Sequence, residues 1–179
     1  MQRLFPQKTQ PHLIDNQTKR ATMGDEDKVQ RMYQTAIDHL QQNGFRFGRV
    51  DDDQTLLFFM SGRNGTYSCV LGVQDAVFRV LTTIGCRAPA EKRVATAELL
   101  NRINWILTIG NFEMNHADGG ICFRTVLDCR GGELTDEMVE MTVRMNIVTV
   151  DRFHPAIMTL LWNDLAPEDA LALVETAPT

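Results

Sequence analysis

Tyr67, Cys69, Leu71 and Val73 occupy every second position directly after Gly62-Arg63-Asn64-Gly65. Apolar residues at period two mark a strand with one buried face, and Asn-Gly tolerates the positive φ of a tight turn. This stretch therefore reads as a β-hairpin, which needs further strands on either side to be stable. Upstream, Leu56 to Met60 is apolar on both faces, as in a covered strand or one that meets a partner. Phe45 and Phe47 alternate with polar residues before it, and Asp51-Asp52-Asp53 marks a turn. Downstream, a turn near Gln74-Asp75 leads to Phe78, Val80 and Ile84.

Helical spacing brackets these strands. Asp25, Glu26 and Asp27 open a first helix, where carboxylates favour the positive end. Val29, Met32, Tyr33, Ala36, Ile37 and Leu40 make its apolar stripe, His39 lies on its polar side, and Gly44 ends it. Pro89 starts a second helix through Val94, Ala97, Leu100, Ile103, Ile106 and Leu107, with Gly110 as its stop. A second hairpin follows: Phe112 and Met114, a turn at Asp118-Gly119-Gly120, then Ile121, Phe123, Thr125 and Leu127 facing inward. Thr135 caps a last long helix, with Asp136 and Glu137 in its first turn. Pro155 is expected to kink or restart that helix, and Pro167 to begin a short one. Strands and helices group separately without βαβ alternation, which is the α+β pattern. The predicted architecture is a twisted antiparallel sheet packed by helices, in the order α-β-β-β-(β)-α-β-β-α.

The 179 residues suit one domain, read as 25–179, with residues 1–24 as a flexible or loosely docked tail rich in Gln, Thr, Lys and Pro. A net charge of −5 argues against sequence-independent binding of nucleic acid. The basic residues Lys8, Lys19 and Arg20 leave that only as a weak option. No stretch approaches the roughly 20 apolar residues of a membrane span. The opening Met1-Gln2-Arg3-Leu4-Phe5-Pro6 turns polar without a signal-peptide core. Cys69, Cys86, Cys122 and Cys129 are scattered, which suits neither zinc nor a disulfide framework, so a reducing cytoplasm is expected.

Catalytic patterns are missing. Neither phosphate-binding glycine signature occurs. A calcium loop from Asp51 would need Gly and Glu where Leu56 and Gly62 stand. His116 and Asp118 at a hairpin tip fit a polar turn better than a metal or acid–base pair. Cys122 lacks a neighbouring base, and Arg124 would at most lower its pKa. Glu133, Asp136, Glu137 and Glu140 read as a solvated helix start. No cofactor, metal ion or catalytic residue is expected. Met138, Met141, Met145 and Val148 recur along the last helix, where core spacing is the first reading and a re-packing surface the second. Phe153, Leu161 and Trp162 add bulk near its end.

Leu99-Leu100-Asn101-Arg102-Ile103-Asn104-Trp105, Gly110-Asn111-Phe112-Glu113 and Gly119-Gly120-Ile121-Cys122-Phe123-Arg124 form the most distinctive run, with Asp151-Arg152-Phe153 and Pro155-Ala156-Ile157-Met158 beyond it. In these motifs and its element order over roughly residues 26–162 the chain resembles the bacterial YbjN-like family, whose label is sensory transduction regulator. The resemblance implies a fold similar to type III secretion chaperones, commonly dimeric, which bind extended client segments without catalysis. Asn104, Asn111, Phe112 and Arg124 are its motif residues, read as structural. Asn104 should hydrogen-bond something if buried, Asn111 can serve loose helix carbonyls or the next turn, and Arg124 can pair with Glu113 across the hairpin.

The expectation is a cytoplasmic, non-enzymatic protein-binding module, chaperone-like or regulatory. It would act as a homodimer on an unidentified protein client, without nucleic acid or membrane. Candidate contact residues are Leu57, Phe59, Met138, Met141, Met145, Phe153 and Trp162. The competing reading is a small-ligand binder or enzyme with a pocket between sheet and helices, using Asn104, Arg124 and His116.

Overall fold

The computed structural model describes residues 23–50, 54–163 and 165–175. Residues 1–22 of the expected 1–24 tail and the turn at Asp51-Asp52-Asp53 lie outside them, while Met23 and Gly24 of that tail belong to a helix. Helix α1 spans Met23–Gln42, starting two residues before the expected point. Met32, Tyr33, Ala36, Ile37 and Leu40 are buried along one stripe. Gly44 ends the helix at φ 72°, with its N–H on the Gln41 carbonyl and the Phe45 N–H on that of Leu40.

Four strands follow: β1 Phe47–Val50, β2 Thr55–Ser61, β3 Thr66–Gln74 and β4 Val77–Arg87. A 3₁₀ turn, Ala90–Lys92, leads into α2, Arg93–Ile106. Then come β5 Asn111–Met114, β6 Gly120–Asp128, α3 Asp136–Trp162 and α4 Pro167–Glu175. The six strands form one sheet in the order β1-β2-β3-β4-β6-β5, every neighbouring pair antiparallel. The expected α+β class is the observed one. Because α2 carries the chain across to the far edge, β6 returns between β4 and β5.

Turn chemistry differs from the sequence reading in an instructive way. Positive φ falls on Asp75 (52°) and Ala76 (57°), the two-residue link between β3 and β4, and on neither Asn64 nor Gly65. The 62–65 connection is a four-residue loop whose shape comes from outside, through α3. Gly85, at φ 76°, sits where the β4–β6 register shifts between Thr83 and Arg87, so that strand bulges there.

One face of the sheet carries the core. Leu56, Phe58, Tyr67, Cys69, Leu71, Phe78, Val80, Ile121 and Phe123 point into the helix layer and are buried. The central helix α3 packs on β4 and β6, α1 on β3 and α2 on β5. Phe112 bridges to Phe123 and Phe153, at ring distances of 4.7 and 6.2 Å.

Four expectations need correction. Helix α2 stops at Ile106, and Val94 is exposed because Thr96, Leu99, Leu100 and Ile103 make the buried stripe. His39 is buried rather than on a polar face, being seven residues from Met32 and three from Ala36 on the same side. The buried stripe of α3 is Val139, Val143, Asn146, Ile147, Val150 and Phe153, and the methionines face out. Finally, α3 runs unbroken through Pro155, so of the expected kink or restart the restart does not occur. Proline lacks the N–H that would bond the Asp151 carbonyl four residues back. Asn64 Nδ2 supplies the missing donor to that oxygen at 2.8 Å.

Candidate functional site

The second face of the sheet has no helix over it among the described residues. Cross-strand register aligns Leu57 with Val70, Val70 with Leu81, and Leu81 with Arg124. The parallel row joins Phe59, Ser68, Thr83 and Cys122. Leu57, Val70 and Leu81 are half-buried, whereas Phe59 is 65% exposed. A third row places Arg79 beside Gly72 and Val126. A Cβ on Gly72 would lie 3.2 Å from Arg79 Nε, so the arginine lies across the glycine and borders the apolar patch. The result is an open apolar strip across β2, β3 and β4, with charged groups at its margins.

The margin at β5 and β6 is internally satisfied. Arg124 Nη2 donates to Glu113 Oε2 at 2.7 Å, the cross-hairpin pair expected from sequence. Asn111 Nδ2 donates to Glu113 Oε1 at 3.0 Å instead of serving helix carbonyls or a turn. Asn104 Oδ1 accepts from the Phe112 N–H at 2.8 Å, and its Nδ2 donates to the Phe112 carbonyl at 3.0 Å. A side-chain amide from α2 thus occupies the backbone groups that an added strand would use, and closes this edge of the sheet. The opposite edge is less covered, since β1 pairs only with Thr55 to Phe58 of β2.

Asp151, midway along α3, organises that less covered corner. Its carboxylate accepts from the N–H of Arg63 (2.9 Å), the N–H of Asn64 (2.7 Å) and the Tyr67 hydroxyl (2.8 Å). Burial alone would raise the Asp151 carboxyl, but the Asn64 N–H, the Tyr67 hydroxyl and the Arg63 N–H hold it below the usual range. Tyr67 is pushed well above the ordinary phenol range, first by burial and then by its bond to Asp151. His154 stacks edge-on against Tyr67 at 5.4 Å, and burial lowers its pKa while Asp151 partly opposes this. Sequence spacing carries no signal for this anchor, because Asp151 lies 87 positions from Asn64. A second contact unseen there is His39 Nδ1 with Asp136 Oδ1, at 2.7 Å.

Nucleophilic chemistry has no support in this arrangement. Burial raises all four thiols, Cys69 to about 11, and for Cys122 Glu113 adds to the rise while Arg124 only partly opposes it. His116 is exposed and its carbonyl accepts from Arg93 Nη1 at 2.9 Å. Asp118 is lowered mainly by the Gly120 N–H and then by Arg87, which it meets at 2.6 Å. These are turn interactions. Asn104, Arg124 and His116 are spent on different local partners and do not converge. Among the described residues no group of three or more His, Cys, Asp or Glu side chains is arranged to hold a metal, and no helix is long and apolar enough to cross a membrane.

The seven residues singled out for partner contact fall in three places. Leu57 and Phe59 lie on the open sheet face. Met138 (41%), Met141 (47%) and the half-buried Met145 lie on the solvent side of α3, and Trp162 is exposed at its end. Phe153 is only 1% exposed and belongs to the core, held there by Phe112, so it offers no surface. Val70 and Leu81 were missed. The signal was present, because both are apolar at positions alternating with the inward residues of their strands.

Comparison with known proteins agrees with this architecture. A family model described as "Putative bacterial sensory transduction regulator", YbjN, matches residues 37–158. The crystal structure of YbjN from E. coli, described as "a putative transcription regulator", superposes with a TM-score of 0.52 at 15% identity. That likeness covers 72% of this chain and 88% of the other, and it shows a shared fold. No match is found among curated proteins. The matched span runs from Ile37 in α1 to Met158 in α3, taking in the whole sheet, and the chain belongs to the YbjN family.

Proposed function

We propose that this protein is a cytoplasmic, non-enzymatic regulator that works by binding a protein partner across the open face of its sheet. The family description, a sensory transduction regulator, supports the regulatory part of this reading. The observation that carries the binding part is the strip Leu57–Val70–Leu81 with the exposed Phe59 ring beside it. Apolar groups aligned in register on an uncovered sheet are costly to leave in water, at about 25 cal/mol per Å². Closure of the β5 edge by Asn104 favours face-on recognition over strand addition there. The client is an apolar segment of another protein, and self-association as a homodimer belongs to the same reading.

The test compares capture from a lysate of the source organism by the wild-type chain, Phe59→Asp and Val94→Asp. Both positions are exposed, so neither change should unfold the protein, and only Phe59 lies on the strip. A partner retained by wild type and Val94→Asp but lost from Phe59→Asp supports the reading. Equal retention by all three overturns it. Light scattering on the same variants reads the homodimer, whose mass should fall to the monomer only in Phe59→Asp.

A further inference from the structure

Helix α3 presents a second surface, on the opposite side of the molecule from the open sheet face. Met138, Met141, Met145 and Val148 follow one another at spacings of three or four, forming one stripe. Three of them are among the most exposed large apolar side chains of the described residues, and Met145 is half-buried. Glu137 and Glu140 border one side of the stripe, exposed and without a side-chain partner among the described residues. Arg144 lies over Met141, with Nη2 3.3 Å from the sulfur, and is the basic group on this face. Thioethers beside carboxylates suit an apolar segment that carries positive charge.

The chain contains such a segment. Residues 1–22 hold four basic side chains (Arg3, Lys8, Lys19, Arg20) against one acidic, Asp15, in a protein of net charge −5. Their aliphatic and aromatic residues come as two doublets, Leu4-Phe5 and Leu13-Ile14. The attachment point is also favourable. Lys28 Nζ donates to the Arg130 carbonyl at 3.1 Å and Arg31 pairs with Glu133 at 3.3 Å, so α1 begins beside the segment leading into α3. From there 22 residues reach up to about 70 Å, while Met138 to Val148 spans only about 15 Å of helix. A tether of this kind holds its end at an effective concentration near the millimolar range, so a weak contact suffices.

We propose that the N-terminal segment, residues 1–22, docks on the methionine–glutamate stripe of α3 within the same molecule. Its apolar doublets meet the thioethers and its basic residues meet Glu137 and Glu140. This surface is distinct from the sheet strip, so either proposal can fail without the other.

The experiment is methyl NMR of the full chain with ¹³C-methyl methionine, assigned by single Met→Leu variants. The expected result is nuclear Overhauser contacts from the Met138, Met141 and Met145 methyls to protons of Leu4, Phe5, Leu13 or Ile14, unchanged on tenfold dilution. In the full-chain variant L4S/F5S/L13S/I14S those contacts should vanish and the three methyl resonances shift, while buried Met32 stays in place. Circular dichroism and the thermal melt of the same variant read loss of fold separately from loss of the contacts. Identical methyl spectra for wild type and variant would overturn the proposal. So would contacts from the segment to Phe59 or Leu81, or contacts that disappear on dilution and therefore join two copies.

Discussion

Replacing Asp151 by Ala should destabilise the protein by about 3 kcal/mol, although Asp151 belongs to neither proposed binding surface. Its carboxylate accepts three hydrogen bonds, of which the one from Tyr67 comes from a residue only 1% exposed. A hydrogen bond to a charged group is worth roughly 1.5–3 kcal/mol, and a buried donor left unpaired costs a similar amount. About 2 kcal/mol is therefore assigned to the Tyr67 bond. The Arg63 and Asn64 N–H groups lie on an exposed turn where water can replace the carboxylate, so about 0.5 kcal/mol each is appropriate. For a domain of this size the total corresponds to a fall in Tm on the order of 6–12 °C. The pH dependence has a definite sign. The folded Asp151 carboxyl lies below its usual range, so its contribution is complete above the unfolded value of about 3.9 and is lost as pH falls through the folded value. Urea denaturation of wild type and Asp151→Ala from pH 7 to pH 2 reads both quantities. The gap should be widest at neutral pH and close in acid. A gap under 0.5 kcal/mol at pH 7, or one that widens in acid, would refute the anchor.

The same corner yields a double-mutant cycle: Asn64→Ala should cost about 1 kcal/mol beside Pro155 but markedly less in Pro155→Ala, where a helical N–H can reach the Asp151 carbonyl. Additive losses in denaturation would show that Asn64 does not substitute for that bond. Asn104→Ala should cost about 1–2 kcal/mol and unmask the β5 edge, giving concentration-dependent association on size exclusion. A fully monomeric variant of wild-type stability would contradict that role. Because burial raises all four thiols, disulfide-reagent titration at pH 8 should be slow for the native chain and fast once it is unfolded. A native thiol reacting at the unfolded rate would restore the nucleophile reading.

The sheet was largely legible in the sequence because period-two alternation depends only on which side chains share a face. Tyr67 to Val73 and Phe78 to Ile84 turned inward as expected. The α3 methionines misled because a helical stripe does not say whether it faces the core. Val139, Val143 and Ile147 form an adjacent stripe, and their β-branched side chains pack against the sheet while the flexible thioethers remain outside. Pro155 does not restart the helix, and its missing donor is replaced by Asn64, 91 positions away in the chain. Asp151 was read only as part of a family motif for a related reason, since its three donors come from a loop and strand of another layer. On the candidate surface, Leu57 and Phe59 were visible as a doubly apolar strand. Val70 and Leu81 gained meaning only once register set them beside Leu57.

The claim that the open sheet face is the binding surface is tested most directly by methyl NMR of the full chain as the protein captured from lysate is added. The methyl signals of Leu57, Val70 and Leu81 should shift together, and Phe59→Asp should weaken the affinity by tenfold or more. Shifts confined to the helix layer, with Phe59→Asp binding as tightly as wild type, would contradict it.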